Sequence, residues 1–439
     1  MKAERPYPQV RITPKGERAL AAGHPWVYAA EVTALVGAVE DGGLADVVSS
    51  KGAYLGTAFY NSRSLIRCRL LSRNANDRFD DAFWQRRVQY AWDYRKTVMQ
   101  PEDLLCCRVI FGEADGFPGL TVDRFGSVLV AQVMSLGMER IQARLLPILV
   151  QVLRADGQDI AGVYLRNDAA LREKEGLAQG KGWFPLPDEP EPALTGADIV
   201  ENGIRYRVDF INGQKTGFFL DQKYNRQAVA RLAKGRTVLD CFTHTGSFAL
   251  NAAKGGAKHV TAVDVSEFAV ECAAENARIN GLDNVMECRA ANVFDLLPEL
   301  EKQPKQYDFI ILDPPAFTKS RKTIESAMTG YKEINYRAMR LLPRGGYLAT
   351  CSCSHFASTE RFMAMLRSAA RDAGVQLRQI EQRQQCCDHP ILWGVEETDY
   401  LKFFLVGVHG THLPFSDGRK RFPGDAPQNS AGYRHFRSG

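Results

Sequence analysis

The pattern of apolar and polar positions changes twice along the chain. Up to about Arg73, short apolar runs such as QVRI, LADVV and SLIRCRLL alternate with turn signals, which predicts short strands around one brief helix in a small β-rich barrel. The next region has helical periodicity in DDAFWQRRVQYAWDYRKTV and ERIQARLLPILVQVL, with strand-like GLTVDRFGSVLVAQVM between them. This region is predicted to be a small α+β domain.

Strand and helix then alternate regularly. Apolar strands bounded by Gly or Asp, such as TVLDCF, HVTAVDVS, YDFIILDPP and GGYLATCSCS, alternate with amphipathic helices, which indicates a buried, doubly wound parallel sheet. The Pro-rich, acidic stretch PLPDEPEPAL suits an exposed connection before this part. We therefore predict an α/β protein with domains at 1–73, 74–190 and 191–408. Residues 409–439 are predicted to be a basic, disordered tail.

Composition narrows the class of protein but does not identify it. The chain has 439 residues, 45% hydrophobic and 24% charged, which argues against a largely disordered protein. A formal charge of +5 permits a polyanionic partner without requiring one. We find no apolar run long enough to span a bilayer and no signal-peptide pattern, and the ten cysteines are not at framework spacings. We therefore expect a cytoplasmic protein with reduced thiols and no membrane association.

The first 73 residues carry a modest basic excess. Ten Lys and Arg stand against six Asp and Glu, and Trp26, Tyr28, Phe59 and Tyr60 are interleaved with them. Basic residues mixed with aromatic rings are typical of RNA-binding surfaces, but solvated charge around an ordinary core has the same composition. The sequence of this segment leaves both interpretations open.

Polar residues follow three successive predicted strands of the third domain. Asp240 ends the first strand, Gly246 lies in the turn after it, Asp264 ends the second strand and Asn292 ends the third. The carboxyl ends of parallel strands form the ligand-binding edge of such a sheet, where a carboxylate can bind a ribose diol and an amide can bind an adenine edge. The turn lacks the G-x-G-x-x-G spacing, so a nucleoside without a pyrophosphate, as in S-adenosylmethionine, fits better than a dinucleotide. Each Asp alone could instead cap the next helix.

The fourth and fifth strands bring candidate chemistry to the same edge. IILDPPAF supplies Asp313 and Phe317 on a loop that two prolines make rigid, and this loop could bind a planar base or be a plain turn. YLATCSCSH supplies Cys351 and Cys353, which strand alternation places on one face. A thiolate that adds to C6 of cytosine makes C5 nucleophilic, so a cysteine beside a methyl donor has a specific use. Two buried structural thiols are the competing interpretation, and alternation does not rank the two cysteines.

A zinc site is the remaining interpretation of the cysteines. Cys351, Cys353, Cys386, Cys387 and His389 supply suitable ligand types, but the spacings C-x-C and C-C-x-H do not match the common zinc-binding motifs. We therefore predict no metal.

The order NGQKTGFFLDQKYNR, LDCFTHTGSF, VDVS, DPPAF and CSCSH resembles the RlmI-type bacterial 23S ribosomal RNA cytosine-C5 methyltransferases. The resemblance extends to GHPWVY, GEADGFPGLTVDRFG, RNDAALREKEGL and the later DHP, so it covers almost everything before the tail. It implies an N-terminal PUA domain, a central α+β domain and a Rossmann-like class I methyltransferase domain that uses S-adenosylmethionine. Large-subunit ribosomal RNA is the implied partner, and a homodimer is one option for the oligomeric state.

The resemblance also implies roles for individual residues. Asp221 and Gln222 of FLDQ would line the cofactor pocket, Phe242 and Gly246 would form the glycine turn, and Asp264 would bind the ribose. Asp313 would belong to the D-P-P loop, and the cysteine of S-C-S, Cys353, would be the nucleophile. These assignments and those from strand ends together give the catalytic pair Cys353 and Asp313. The cofactor-binding set is Asp221, Gln222, Asp240, Phe242, Gly246, Asp264, Asn292 and Asp313.

Two features depart from what the resemblance implies: Asn292 stands where an acidic residue is usual beside adenine, and the tail has no counterpart. In addition, the loop D-P-P-A-F lacks the second cysteine that other m5C enzymes use in product release. Two further hypotheses stay open from the sequence. One is methylation of an exocyclic amine with Asp313 and Phe317, and the other is a non-catalytic RNA-binding assembly factor.

Overall fold

The N-terminal sheet surrounds a small apolar core. The computed structural model describes residues 5–304, 307–318 and 321–410. Its first six strands form one sheet in the order β2-β6-β5-β4-β1-β3, and helix α1 begins after the cap Thr13, whose side chain accepts from Gly16 N. The bounds are β1 Gln9–Ile12, α1 Pro14–Ala21, β2 Trp26–Tyr28, β3 Val32–Val36, β4 Leu44–Val48, β5 Tyr54–Tyr60 and β6 Ile66–Ser72.

The central part packs two long helices against a five-stranded sheet. The strand order is β11-β10-β9-β8-β7, with β9 and β10 parallel and the other pairs antiparallel. Both helices that periodicity predicts are present. The bounds are α2 Asp81–Val98, β7 Cys106–Phe111, β8 Leu120–Phe125, β9 Val128–Val133, α3 Leu136–Ala155, β10 Gly162–Asn167 and β11 Gly180–Trp183.

The third part begins with an antiparallel hairpin, which leads into the alternating strands and helices. The hairpin is β12 Ala197–Glu201 and β13 Ile204–Val208. The following elements are α4 Lys223–Leu232, β14 Thr237–Cys241, α5 Ser247–Lys254, β15 His259–Asp264, α6 Glu267–Ile279, β16 Met286–Ala290, α7 Val293–Leu300, β17 Phe309–Leu312, α8 Ile324–Leu341, β18 Tyr347–Ser352, α9 Thr359–Ala373, β19 Gln376–Arg383 and β20 Lys402–His409.

These strands form a seven-stranded sheet in the order β16-β15-β14-β17-β18-β20-β19. The first five strands are parallel, and Phe309–Leu312 is buried throughout, as expected for a strand covered by helices on both faces. The sheet is not parallel throughout, because β20 runs antiparallel to both β18 and β19. The chain enters β20 from a loop at the carboxyl edge of the sheet. The apolar pattern of KFFLVGV does not indicate this strand direction.

The N-terminal and central parts share buried contacts. Phe59 of β5 belongs to the apolar cluster of the central part and stacks on Trp84 of α2, with ring centroids 6.5 Å apart. Glu175 is buried and accepts from Asn61 Nδ2 at 3.1 Å and from Arg69 Nη2 at 3.0 Å. The two parts are therefore joined by an apolar contact and a buried ion pair.

The end of the chain carries one prediction that the structure tests only at its start. The basic, disordered tail predicted at 409–439 begins too early, since His409 still pairs within β20, and from position 411 onward it lies outside the described residues. Within the described ranges, no helix has the length and apolar content needed to cross a membrane.

Candidate active site

The turn after β14 has an unusual backbone. Phe242, His244 and Gly246 all have positive φ, at 66°, 51° and 84°. Non-glycine residues adopt this region at a cost, and such residues cluster at functional sites. A Cβ on Gly246 would lie 3.0 Å from Cβ of Ala273, so α6 packs directly against the turn. The turn therefore brings the start of α5 close to the carboxyl edge of the sheet.

Asp240 lies beneath this turn, fully buried. Its Oδ2 accepts from Thr243 Oγ1 at 2.6 Å and from Ala249 N at 3.0 Å, so one oxygen fixes the turn and the first turn of α5. Its Oδ1 is buried without a hydrogen-bond partner among the described residues. Burial and the nearby charge of Asp313 raise the pKa of Asp240 to about 7. The residue combines the capping role with a carboxylate oxygen that the protein leaves unsatisfied.

Asp264 ends β15, as the sequence predicts, and its carboxylate is half-buried. Its Oδ2 accepts from His244 N at 2.9 Å and its Oδ1 from Ser266 N at 3.0 Å. A carboxylate oxygen has two lone pairs, so each oxygen can still accept from a ligand hydroxyl. The placement suits a ribose contact.

Asn292 lies differently from the prediction. β16 ends at Ala290, and the exposed Asn292 is the N-cap of α7, where its Oδ1 accepts from Phe294 N at 3.0 Å. The capping bond uses the amide oxygen and leaves the amide NH₂ group to donate. The structure therefore places Asn292 at the same edge as Asp264 but gives it a structural contact of its own.

The FLDQ segment meets the D-P-P loop directly. Gln222 Nε2 donates to Asp313 Oδ1 at 3.1 Å, although the two residues are 91 positions apart. Asp221 Oδ2 accepts from Tyr400 Oη at 2.7 Å. Burial and the charge of Asp221 raise the pKa of Asp313 to about 7, whereas His389 and the Tyr400 bond outweigh burial and lower the pKa of Asp221. Near neutral pH the site thus holds an ionised Asp221 and an Asp313 that exchanges readily between its two forms.

The two candidate thiols differ in accessibility. Cys351 lies within β18 and is 0% exposed, whereas Cys353 follows the strand, is half-buried, and places its Sγ 3.8 Å from the Pro314 carbonyl. Burial and the charges of Asp313 and Asp221 raise the pKa of Cys353 to about 11, although Lys215 lowers it. Burial raises the pKa of Cys351 as well. Cys353 is therefore the more accessible of the two thiols.

Phe317 packs among other rings. It lies in the apolar cluster behind the D-P-P loop, 4.6 Å from Tyr331 and 5.8 Å from Phe294 between centroids. This packing is sufficient to explain an aromatic residue at the end of the loop, and stacking on a substrate is not needed to explain it.

Tyr400 is a site residue that the sequence analysis does not identify. It stands 179 positions from Asp221 and outside every motif quoted from the sequence, so no local signal predicts the contact. The DHP segment lies in the same loop. His389 Nδ1 is 2.8 Å from Asp388 Oδ1, and Asp388 Oδ2 accepts from Arg108 N at 2.8 Å, which anchors the loop to the central sheet.

No group of three or more His, Cys, Asp or Glu side chains that could hold a metal ion occurs in the part of the chain that the structure describes.

The edge of the sheet brings together four carboxylates and one accessible thiol. The carboxylates of Asp221, Asp240, Asp264 and Asp313 lie close enough to influence one another's ionisation in a chain of neighbours. A concentration of negative charge suits a cationic ligand.

Comparisons with known proteins give the site a context. A family model described as S-adenosylmethionine-dependent methyltransferase matches residues 186–403, and a PUA-like domain model matches residues 10–73. The chain is 38% identical over 403 residues to the ribosomal RNA large subunit methyltransferase I of Klebsiella pneumoniae subsp. pneumoniae, which covers 92% of this chain and 98% of that protein. It is 40% identical over 399 residues to the protein of the same name from Erwinia tasmaniensis, with 90% and 98% covered.

Solved structures are similar over most of the chain. The structure of SMU.776 complexed with SAH superposes with a TM-score of 0.76 at 21% identity, covering 91% of this chain and 99% of that chain. A SAM-dependent methyltransferase structure from Streptococcus mutans superposes with a TM-score of 0.74 at 21% identity and the same coverage. At this identity the likeness shows the fold.

Proposed function

Since the chain belongs to the ribosomal RNA large subunit methyltransferase I family and is an S-adenosylmethionine-dependent ribosomal RNA methyltransferase, we propose that it methylates C5 of a cytosine through Cys353. Family membership gives the methyl donor and the class of RNA. The atom that is methylated and the covalent step are proposed here in addition. It rests on one observation, the placement of an accessible Cys353 thiol beside the D-P-P loop that carries Asp313.

The residues at the sheet edge fit S-adenosylmethionine. Gly246 has a φ of 84°, which shapes the turn at the mouth of the pocket, and Asp240 Oδ1 is a buried acceptor without a partner among the described residues. Asp264 would accept from the ribose hydroxyls, while Asp221, Gln222, Phe242 and Asn292 would line the rest of the pocket. When bound, the cofactor supplies an electrophilic methyl group from a sulfonium, and the surrounding carboxylates favour that positive charge.

Cys353 and Asp313 would divide the work on the base. The Cys353 thiol gives its proton to water and its Sγ forms a bond to C6. The C5–C6 π electrons then form a C4–C5 double bond while the C4–N3 π electrons move onto N3. Asp313 in its neutral form donates a proton or a hydrogen bond to N3, which offsets the charge that develops there. After C5 has been methylated, water or a base removes the C5 proton, the C5–C6 double bond re-forms, and the Sγ–C6 bond breaks. Asp313 regains its proton as N3 releases it.

The neighbouring thiol gives a matched control for this assignment. Cys351 is fully buried in β18 and its thiol cannot reach a base without moving the strand. Cys353→Ala should therefore abolish turnover while S-adenosylmethionine binding is retained, and Cys351→Ala should keep most of the activity.

The decisive experiment uses RNA that carries 5-fluorocytosine. Fluorine at C5 blocks the elimination step, so the wild-type protein and Cys351→Ala should form a denaturation-resistant RNA adduct and Cys353→Ala should not. An adduct that persists in Cys353→Ala and is lost in Cys351→Ala would reverse the assignment. If no protein forms an adduct and mass spectrometry locates the methyl group on an exocyclic amine, the C5 proposal is wrong.

A further inference from the structure

Lys402 is a buried cation behind the nucleophile. It begins β20, opposite Ser352 of β18, and is 4% exposed in a strand whose next six residues are buried. Among the described residues, no carboxylate lies within 4.0 Å of its ammonium group. A buried ammonium without a carboxylate partner is costly, so its retention needs a reason.

The ammonium group has two short hydrogen bonds. Lys402 Nζ donates to the Ser354 carbonyl at 2.6 Å and to the Tyr400 carbonyl at 2.9 Å. Ser354 is the residue after Cys353, and Tyr400 holds Asp221 through its hydroxyl. One side chain therefore ties the segment of the nucleophile to the segment that positions a pocket carboxylate.

The charges around both groups can be named. Lys402 faces Asp399, Glu360 and the Cys353 thiol, and burial lowers the pKa of Lys402 to about 8. Cys353 faces the charges of Asp313, Asp221 and Lys215. Coulomb interactions are reciprocal, so an ammonium that a Cys353 thiolate stabilises also stabilises that thiolate. Lys402 thus opposes the two aspartates, which disfavour the thiolate.

We propose that Lys402 is a positioning residue for the nucleophile, holding the Ser354 carbonyl and supplying the positive charge that offsets the Cys353 thiolate. This inference rests on the proposed role of Cys353. It assigns no contact with substrate to Lys402, since its two hydrogen bonds are to backbone carbonyls.

The test measures the thiol without RNA or methyl transfer. Iodoacetamide carbamidomethylates Cys353 at a rate that reports its thiolate fraction. Peptide mass spectrometry measures this rate from about pH 6 to about pH 10. Below about pH 7, where Lys402 is protonated, Lys402→Met should slow the reaction about tenfold, because the pKa of Cys353 should rise by about one unit. Lys402→Arg keeps the positive charge and should restore most of the rate. Lys258→Met, on an exposed site of the same domain, should leave the rate unchanged.

A second signature separates charge from packing. In the wild-type protein the alkylation profile should depart from a single titration near pH 8, where Lys402 loses its proton, and this departure should be absent in Lys402→Arg. Calorimetry with S-adenosylmethionine checks that each variant keeps an assembled pocket. If Lys402→Met fails to bind the cofactor, the comparison of wild type with Lys402→Arg still decides the question.

The outcomes are distinct from those of the proposed function. An unchanged alkylation profile in Lys402→Met with intact cofactor binding, or a lost alkylation rate in Lys402→Arg with intact cofactor binding, would overturn the inference. A shifted alkylation profile together with no adduct on 5-fluorocytosine RNA would leave Lys402 as the partner of the thiol and remove the C5 chemistry.

Discussion

At the residue scale, the four carboxylates of the site differ in the hydrogen bonds that they accept from the protein itself. Asp240 and Asp221 are engaged by a side-chain hydroxyl, whereas Asp264 accepts only from backbone amides. A backbone-anchored carboxylate has a fixed orientation, so its remaining lone pairs point in defined directions. This makes Asp264 the clearest single test of the cofactor assignment.

Asp264→Ala should weaken S-adenosylmethionine binding by about 1.5–3 kcal/mol, the range for losing a hydrogen bond to a charged group. Isothermal titration calorimetry measures the change directly. Asp283→Ala, at an exposed site after α6, is the control and should leave the affinity unchanged. Equal affinities for Asp264→Ala and wild type would remove Asp264 from the cofactor site.

Asp313 should have opposite effects on the thiol and on turnover. Its negative charge raises the pKa of Cys353, so Asp313→Asn should lower that pKa and speed iodoacetamide alkylation, by about tenfold for each unit of change. Methylation should nevertheless fall by about 10²-fold or more, because the proton donor at N3 is lost. Asp295→Asn, exposed on α7, serves as the control for alkylation. Slower alkylation in Asp313→Asn would contradict the sign.

The pH dependence of turnover follows from the same two groups. Asp313, with a pKa of about 7, is increasingly ionised above that pH, whereas the Cys353 thiolate increases up to a pKa of about 11. Below pH 7 the rate should therefore rise with pH through thiolate formation alone. Above pH 7 the loss of neutral Asp313 should flatten that rise. Single-turnover methylation rates measured across this pH range check the profile, and a rise that continues unchanged above pH 7 would contradict the role of neutral Asp313.

The sequence identifies the residues at strand ends and misses those that reach the site from far along the chain. Asp264 ends one apolar strand and Asp313 follows another, and both lie at the carboxyl edge of the sheet, as the sequence predicts. Tyr400 and Lys402 follow no such rule. Their partners Asp221 and Ser354 are 179 and 48 positions away, so only the antiparallel pairing of β20 brings them in.

At the element scale, the turn from β14 to α5 depends on one glycine. Gly246 has φ of 84° and touches Ala273 of α6, so both conformation and space require the absence of a Cβ. The sequence predicts a tight turn here, but it does not show that α6 closes over it. The close approach comes from the packing of α6 against the start of α5. The sequence pattern predicts each helix but not the contact between them.

Gly246→Ala should lower the free energy of unfolding by about 1–3 kcal/mol and weaken cofactor binding. Gly281→Ala is a matched control, since Gly281 has φ of 65° and nothing within 4 Å of a built Cβ. The control should show the conformational cost alone and keep its affinity for S-adenosylmethionine. Urea unfolding and calorimetry measure the two effects, and indistinguishable variants would show that the contact with α6 is unimportant.

At the scale of the whole molecule, the N-terminal sheet cannot be treated as a removable part. Phe59 lies against Trp84, and a Cβ on Gly137 would lie 2.1 Å from Phe59 Cγ, so α3 also fits closely to the sheet. Deleting residues 1–73 would expose this apolar contact and leave Glu175 without Asn61 and Arg69. Surface charge changes are therefore the better test of RNA docking.

Reversing Lys15 and Arg18, both exposed on α1, should weaken RNA binding if this sheet docks the substrate. Removing one phosphate contact should reduce the slope of log affinity against log salt by about 0.7–0.9. The control reverses Lys234 and Lys258, which are exposed on the methyltransferase domain. Filter binding across a salt series gives the slopes, and equal slopes for both double variants would assign docking elsewhere.

If the N-terminal sheet docks RNA, its buried junction around Glu175 and Phe59 has a consequence for substrate choice. RNA held on the N-terminal sheet would reach Cys353 across a separation set by packed side chains, so the protein would act as a molecular ruler. Selection would then depend on how many nucleotides, in which folded shape, lie between the anchored stretch and the reactive cytosine. Two sites with identical flanking bases but different three-dimensional spacing would be distinguished without any contact to the bases between them.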